Sequence, residues 1–387
     1  MDNKLFLPCA AIVSLFLLLL LRWSEPVAGA ASTSLRVRRP YDSIFSFGDS
    51  FTDTGNNPVV FDWYSIFDPV LRPPYGSTFF NRPTGRNCDG RLIIDFLAQS
   101  LGLPFVPPFL AHNGSFRRGA NFAVGGATAL DAGFFHDGEL LGANQMPFNT
   151  SLSVQLQWFE SLKPSLCNTT QKCREVFSRS LFFVGPFAYN DYSILLVGGR
   201  SMPQVTSLVP DVIATISMAT ERLIEHGATS LVVPGVLPVG CAPPNLVMFE
   251  GIAEPAAYDP KTGCLIELNE LSAYHNSLLR QALHDLQAKH PDVEIIYIDF
   301  FGPVMEMVES PAKFGFEGDV LTICCGGPGN KYHFSTEAWC GDPAATECKD
   351  PSARLFWDGV HMTEAANRYI AGEWLRSIDT PASVSSQ

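Results

Sequence analysis

The stretch SIFSFGDSFTDTGNN, residues 43 to 57, decides the fold. Its first part, SIFSFG, is near-continuously apolar, as a strand covered on both faces should be; a strand with one wet side would alternate. The run then breaks into Gly, Asp, Ser, Thr and Asn, the residues that make turns and helix caps. Three more such runs follow, SLFFVG (180–185), TSLVVPG (229–235) and VEIIYID (293–299). Between them lie helical patterns. DVIATISMATERLIEHG carries apolar residues at helical spacing and ends on Gly227, where a C-terminal cap belongs. LIELNELSAYHNSLLRQALHDLQAKH repeats the pattern with Leu268, Leu271, Leu278, Leu279, Ala282 and Leu286. Both helices feed straight into a strand, which is the order of a parallel sheet with crossover helices.

In such a sheet, active sites form in the crevice beyond the carboxyl ends of the strands. Ser50 stands there, directly after Gly-Asp. A serine in a turn is by itself only a turn residue, and its hydroxyl becomes a nucleophile only beside a base, usually a histidine held by a carboxylate. Eight histidines compete for that role. His226, His275, His284 and His290 fall in or at the ends of helical patterns, and His112, His136 and His333 in loops, with no carboxylate at a telling spacing. His361 differs. WDGVHMTEAAN sets Asp358 three residues before it across a Gly-containing turn, ahead of a final helical pattern. Over so tight a turn the carboxylate can reach one ring nitrogen and leave the other for the serine. The rival reading makes Asp358 a helix cap. A developing oxyanion also needs donors. RRGANFAVGGAT offers the backbone at Gly125-Gly126, and SLFFVGPFAYNDYS offers the side-chain amide of Asn190, five residues past its strand.

Composition narrows the setting. Net charge is −13 and pI near 5.0, which excludes a phosphate-backbone partner, because such binding rests on Lys and Arg. No nucleic acid is expected. MDNKLFLPCAAIVSLFLLLLLRWSEPVAGA, residues 1 to 30, reads as a signal peptide with Ala28-Gly29-Ala30 at the cleavage point. Its rival is an uncleaved anchor, since Leu5 to Leu21 is near the lower limit for a span, roughly 17 residues. No later run is long and apolar enough to span. The expected mature chain, 31–387, shows no repeat or linker and reads as one domain. Of ten cysteines, Cys9 lies in the leader; the eight from Cys167 onward fall into near neighbours that suit disulfides, leaving Cys88 odd. Zinc at Cys324, Cys325, Cys340 and Cys348 is the competing reading, against which adjacent cysteines lack paired CxxC spacing. Sequons stand at Asn113, Asn149 and Asn168. Two loop-rich stretches, Asp68 to Pro108 and Gly315 to Pro351, interrupt the strand-helix order and are expected to face substrate.

Taken in order, GDSFTDTGNN, the GG of NFAVGGAT, the YND segment and WDGVH resemble the four signature blocks of the plant GDSL esterase/lipase family within the SGNH hydrolases. The resemblance extends through CDGRLIIDFLAQSLGLP, PVGCAP, ICCGGPGNKYHF and CGDP. It implies a three-layer α/β/α sandwich, flavodoxin-like, on a parallel sheet of about five strands. It implies Ser50 as nucleophile, Asp358 and His361 as its partners, and an oxyanion hole from Ser50, Gly125 and Asn190, with no cofactor and no metal. The implied substrate is a carboxylic ester, short acyl esters of cell-wall carbohydrate in the first place and acylglycerols in the second; an acyltransferase or a non-catalytic glycan- or lipid-binding scaffold are the further alternatives. The leader over 1–30 makes the expected location extracellular, at the wall, or else vacuole or endomembrane. One departure stands out: where the family commonly has Gly-Gly before Asn-Asp, this chain has Ala188-Tyr189, and Tyr189 is expected to narrow the cleft.

Overall fold

The computed structural model describes residues 41–136, 149–329 and 331–379. The leader expected over 1–30 lies outside them. Five strands form one sheet: β1 (Ser43–Phe47), β2 (Gly119–Asn121), β3 (Ser180–Val184), β4 (Ser230–Pro234) and β5 (Glu294–Ile298). All pairings are parallel and the order is β2-β1-β3-β4-β5. Four of these strands are the apolar runs of the sequence. The fifth, β2, is Gly-Ala-Asn at the sheet edge, too short and too poor in β-formers to show a pattern.

Alternate residues of one strand reach opposite layers. Phe182 packs edge-on against Phe159 of the helix Leu152–Leu166, ring centroids 5.7 Å apart, while its neighbour Phe183 meets Trp374 of the helix Glu364–Asp379 at 5.6 Å. Helices therefore cover both faces, giving the three-layer sandwich. Phe45, Phe47, Phe122, Phe159, Phe177 and Phe182 build a continuous aromatic cluster on the first side. The long helical patterns are the helices Val209–His226 and Ile266–Lys289, and Gly227 caps the first of them in the left-handed region at φ 110°.

The chain leaves β1 for an edge strand on one side and reaches β3 on the other, so the strand order reverses between β1 and β3. That reversal opens a crevice at the carboxyl ends of these two strands. Ser50 and Asn190 both lie just past those ends. Within Gly315 to Pro351 a two-stranded ribbon, β6 (Cys325–Gly326) and β7 (Thr346–Glu347), is tied by disulfides. The bridges are Cys167–Cys173, Cys241–Cys264, Cys324–Cys348 and Cys325–Cys340. All four sulfurs of the zinc alternative are thus in S–S bonds. Cys88 is free and buried. No helix among the described residues is long and apolar enough to cross a membrane. Asn113, Asn149 and Asn168 are exposed.

Candidate active site

The turn after β1 is fixed by its own first residue. The Asp49 carbonyl accepts from Thr52 and Asp53 N–H at 3.1 and 3.0 Å, and its Oδ1 accepts from Phe51 N–H at 3.0 Å. Gln155, from the covering helix, both donates to and accepts from the Gly48 backbone, at 2.8 and 2.9 Å. Ser50 is held between these anchors and is 7% exposed.

His361 comes to it from the other end of the chain. Its Nε2 lies 2.8 Å from Ser50 Oγ, and its Nδ1 lies 2.5 Å from Asp358 Oδ1. The turn between Asp358 and His361 is closed by the Trp357 N–H donating to the His361 carbonyl at 2.7 Å. The last helix is capped by Thr363, whose Oγ1 accepts the Ala366 N–H at 3.3 Å, so Asp358 is not its cap. Burial works against a charged His361, but the Asp358 carboxylate and its hydrogen bond, with Asp49 and Asp68 behind, outweigh it and hold the imidazole above its ordinary range.

Among the described side chains, no other histidine is hydrogen-bonded to a serine. His275, for instance, is wholly buried, shares a 2.7 Å hydrogen bond with the Tyr192 hydroxyl, and is pushed down to about 3 by burial alone. It is a neutral packing residue.

The expected oxyanion donors divide. Asn190, at the start of the helix Tyr189–Val197, donates one amide hydrogen to the Ala127 carbonyl at 2.9 Å, which orients the group and leaves its second hydrogen over. Gly125 does not offer the donor expected of it. Its N–H is committed to Asp53 Oδ2 at 3.0 Å, and a Cβ there would meet Asn57 Cγ at 2.9 Å, so the glycine serves close packing. The next residue, Gly126, has φ +79° and open space where a Cβ would stand. Among the described residues, the N–H groups of Ser50 and Gly126 have no hydrogen-bond acceptor.

Asp53 was silent in the sequence and is the organiser of this corner. It accepts N–H groups of Gly55, Asn56, Asn57 and Gly125 at 2.7 to 3.0 Å, tying the block after β1 to the block after β2. Asp191 does the same between β2 and β3, accepting from Ala129 and Leu130 at 3.0 and 3.1 Å. Asp68 accepts from the Asn57 amide at 2.8 Å. Burial pushes Asp49 and Asp53 up to about 7, and Asp68 and Asp191 up to about 6. Tyr189 is 8% exposed, joins the hydrophobic core and shares a hydrogen bond with Ser193. Its ring is packed among the buried residues of the core. Ala188, before it, holds φ +93°, a backbone conformation that suits the glycine the family commonly has there.

Ser50, His361 and Asp358, hydrogen-bonded in series on a parallel α/β sandwich, form an arrangement that suits hydrolytic chemistry. The model of GDSL-like lipase/acylhydrolases matches residues 44–374, and the chain belongs to that family. It resembles GDSL esterases/lipases of Arabidopsis thaliana: one is 46% identical over 346 residues, covering 88% of this chain and 91% of the relative, and another 42% identical over 333 residues, covering 86% and 83%. A crystal structure of a phospholipase A1 from Streptomyces albidoflavus aligns with 88% of this chain and 100% of its own at 13% identity, with a TM-score of 0.35, too low to read a shared fold from. The protein is an ester-bond hydrolase.

Proposed function

We propose that Ser50 attacks the ester carbonyl and that His361 takes its proton, steadied by Asp358. The observation that carries this is the 2.8 Å and 2.5 Å pair of contacts on the two nitrogens of one ring. A tetrahedral oxyanion forms next, and three donors are assigned to it: the N–H of Ser50, the second amide hydrogen of Asn190, and the N–H of Gly126 in place of Gly125. His361 then gives its proton to the leaving alcohol. In the second half it activates a water, which releases the acid and restores Ser50. No step calls for a metal or an organic cofactor.

For substrate we infer short acyl esters of carbohydrate. Support comes from the net charge of −13 and the three exposed sequons, which suit a secreted enzyme working on hydroxyl-rich wall esters. A second reading, acylglycerols, is favoured by Trp63, Ile66, Phe67 and Leu71, which are 40 to 57% exposed on either side of Asp68. We infer further that residues 1–30 are cleaved and that 31–387 is a secreted single domain at the wall, with vacuole or endomembrane as the alternative. Four disulfides and three exposed sequons support an oxidising route. The test is acid release from p-nitrophenyl acetate, acetylated xylan, long-chain esters and triacylglycerol by the protein and by Ser50→Ala. Serine-dependent release confined to the first two supports the reading; serine-dependent release of long chains replaces it with the lipase.

A further inference from the structure

We propose that Tyr75 is a positioning residue of the active site, acting through Asp358; the inference rests on the reading of Ser50, His361 and Asp358 as the catalytic group. Tyr75 comes from PPYG, in a stretch where the sequence marks no chemistry. Its hydroxyl donates to Asp358 Oδ2 at 2.5 Å across 283 residues of chain. The two oxygens of Asp358 are thus both committed, Oδ1 to His361 and Oδ2 to Tyr75. A carboxylate held at both oxygens cannot rotate about its Cβ–Cγ bond without breaking one of them, so the imidazole it holds keeps its aim at Ser50.

The donor is itself locked. Tyr75 is 4% exposed and packs edge-on against Trp357, the residue before Asp358, at 5.9 Å between ring centroids. Val70, Cys324, Cys325 and Cys340 complete the cluster around the two rings. The turn that presents it is closed by Tyr75 N–H to the Arg72 carbonyl at 3.2 Å and Gly76 N–H to the Cys88 carbonyl at 3.0 Å. Burial and the neighbouring Asp358 hold the phenol well above its ordinary range, so it remains a donor at every working pH.

A hydrogen bond on Oδ2 also draws charge from the carboxylate. Removing it leaves more negative charge facing His361, so the imidazole holds its proton to higher pH. Tyr75→Phe keeps the ring against Trp357 and removes only the hydroxyl. The experiment is the pH profile of kcat/KM on p-nitrophenyl acetate for the wild type, Tyr75→Phe, Asp358→Asn and the double variant, with Ser50→Ala beside them. The inference predicts that Tyr75→Phe lowers kcat about tenfold with KM nearly unchanged, moves the acid limb up by about half a unit, and costs nothing more once Asp358 is Asn. An unmoved acid limb, or an equal cost in both backgrounds, overturns it and leaves Tyr75 a packing residue. Turnover surviving in Ser50→Ala overturns instead the reading on which the inference rests.

Discussion

His361 Nε2 stands 2.8 Å from Ser50 Oγ, although the two residues are 311 positions apart. The contact joins the turn after the first strand to the turn before the last helix. Ser50→Ala is expected to lower kcat by at least about 10³-fold with little change in KM, and Asp358→Asn by about 10³–10⁴-fold. Steady-state kinetics on a soluble acetate ester checks both, and a loss under tenfold for Ser50→Ala would be incompatible with a nucleophile.

Activity and stability should respond to pH in opposite senses. The base must be neutral, and Asp358 raises the pKa of His361 against the effect of burial, so kcat/KM should fall on an acid limb lying above pH 6.5. Stability runs the other way. Asp49, Asp53, Asp68 and Asp191 keep protons up to about 6 or 7 in the fold against 3.8 unfolded. Their contribution is fully present below pH 3.8 and is lost as pH rises through 6 to 7, and His361 adds a loss of the same sign above 6.5. Melting temperature is expected to fall by roughly 5–10 °C between pH 5 and pH 8. Carboxylates with lowered values, such as Glu364 and Asp131, change state below that window. A melting temperature that rises over it would contradict the account.

The loop before Asn190 carries strain that one substitution can remove. Ala188 is buried at φ +93°. Ala→Gly at an ordinary helical position costs about 1 kcal/mol. At Ala188 relief of the left-handed backbone offsets that cost, so Ala188→Gly should leave melting unchanged or raise it. A drop of several degrees in a calorimetric scan would show that the methyl group matters more than the strain.

Two disulfides hold the segment that carries Asp358 and His361. Cys324 N–H donates to the Phe356 carbonyl at 3.0 Å and Cys325 N–H to the Trp357 carbonyl at 2.7 Å, while their sulfurs are bonded to Cys348 and Cys340. Cys340→Ser opens a 15-residue loop and should cost about 3 kcal/mol, together with a severalfold loss of kcat at temperatures where the protein remains folded. Cys173→Ser, in a bridge across a short helical turn, should spare kcat. Equal effects on kcat would separate the ribbon from the chemistry.

Cys88 should behave as a structural thiol. Its Sγ accepts the Gly90 N–H at 3.3 Å and the Asn367 amide at 3.4 Å, and burial raises its pKa, which keeps it protonated. Cys88→Ser is expected to fold, with a stability loss near 1 kcal/mol. Peptide mapping without reductant should recover residue 88 unbridged; a bridge at Cys88 would undo the pairing.

The sequence shows most clearly what burial dictates. β1, β3, β4 and β5 are near-continuously apolar because layers cover both of their faces, whereas β2 has three residues and no pattern. Ser50, Asn190, Asp358 and His361 stand out because each follows a strand or precedes a helix in a turn-rich block. Asp53, Asp68 and Tyr75 do not, since an Asp or Tyr in a loop looks the same with or without a partner, and Asp53's bond to Gly125 and Tyr75's to Asp358 cross long stretches of chain. The choice between Gly125 and Gly126 is likewise hidden: it depends on which way a peptide plane faces, and two adjacent glycines permit either. Ala188-Tyr189 is visible as a departure, but only the backbone reveals the positive φ that Ala188 holds.

The most direct test of the central claim is covalent labelling of the protein with a fluorophosphonate, followed by peptide mapping. The account predicts stoichiometric loss of esterase activity with the label on Ser50, and no label when His361 is replaced by alanine. Inactivation with the label on another residue, or hydrolysis that persists with Ser50 fully labelled, would contradict it.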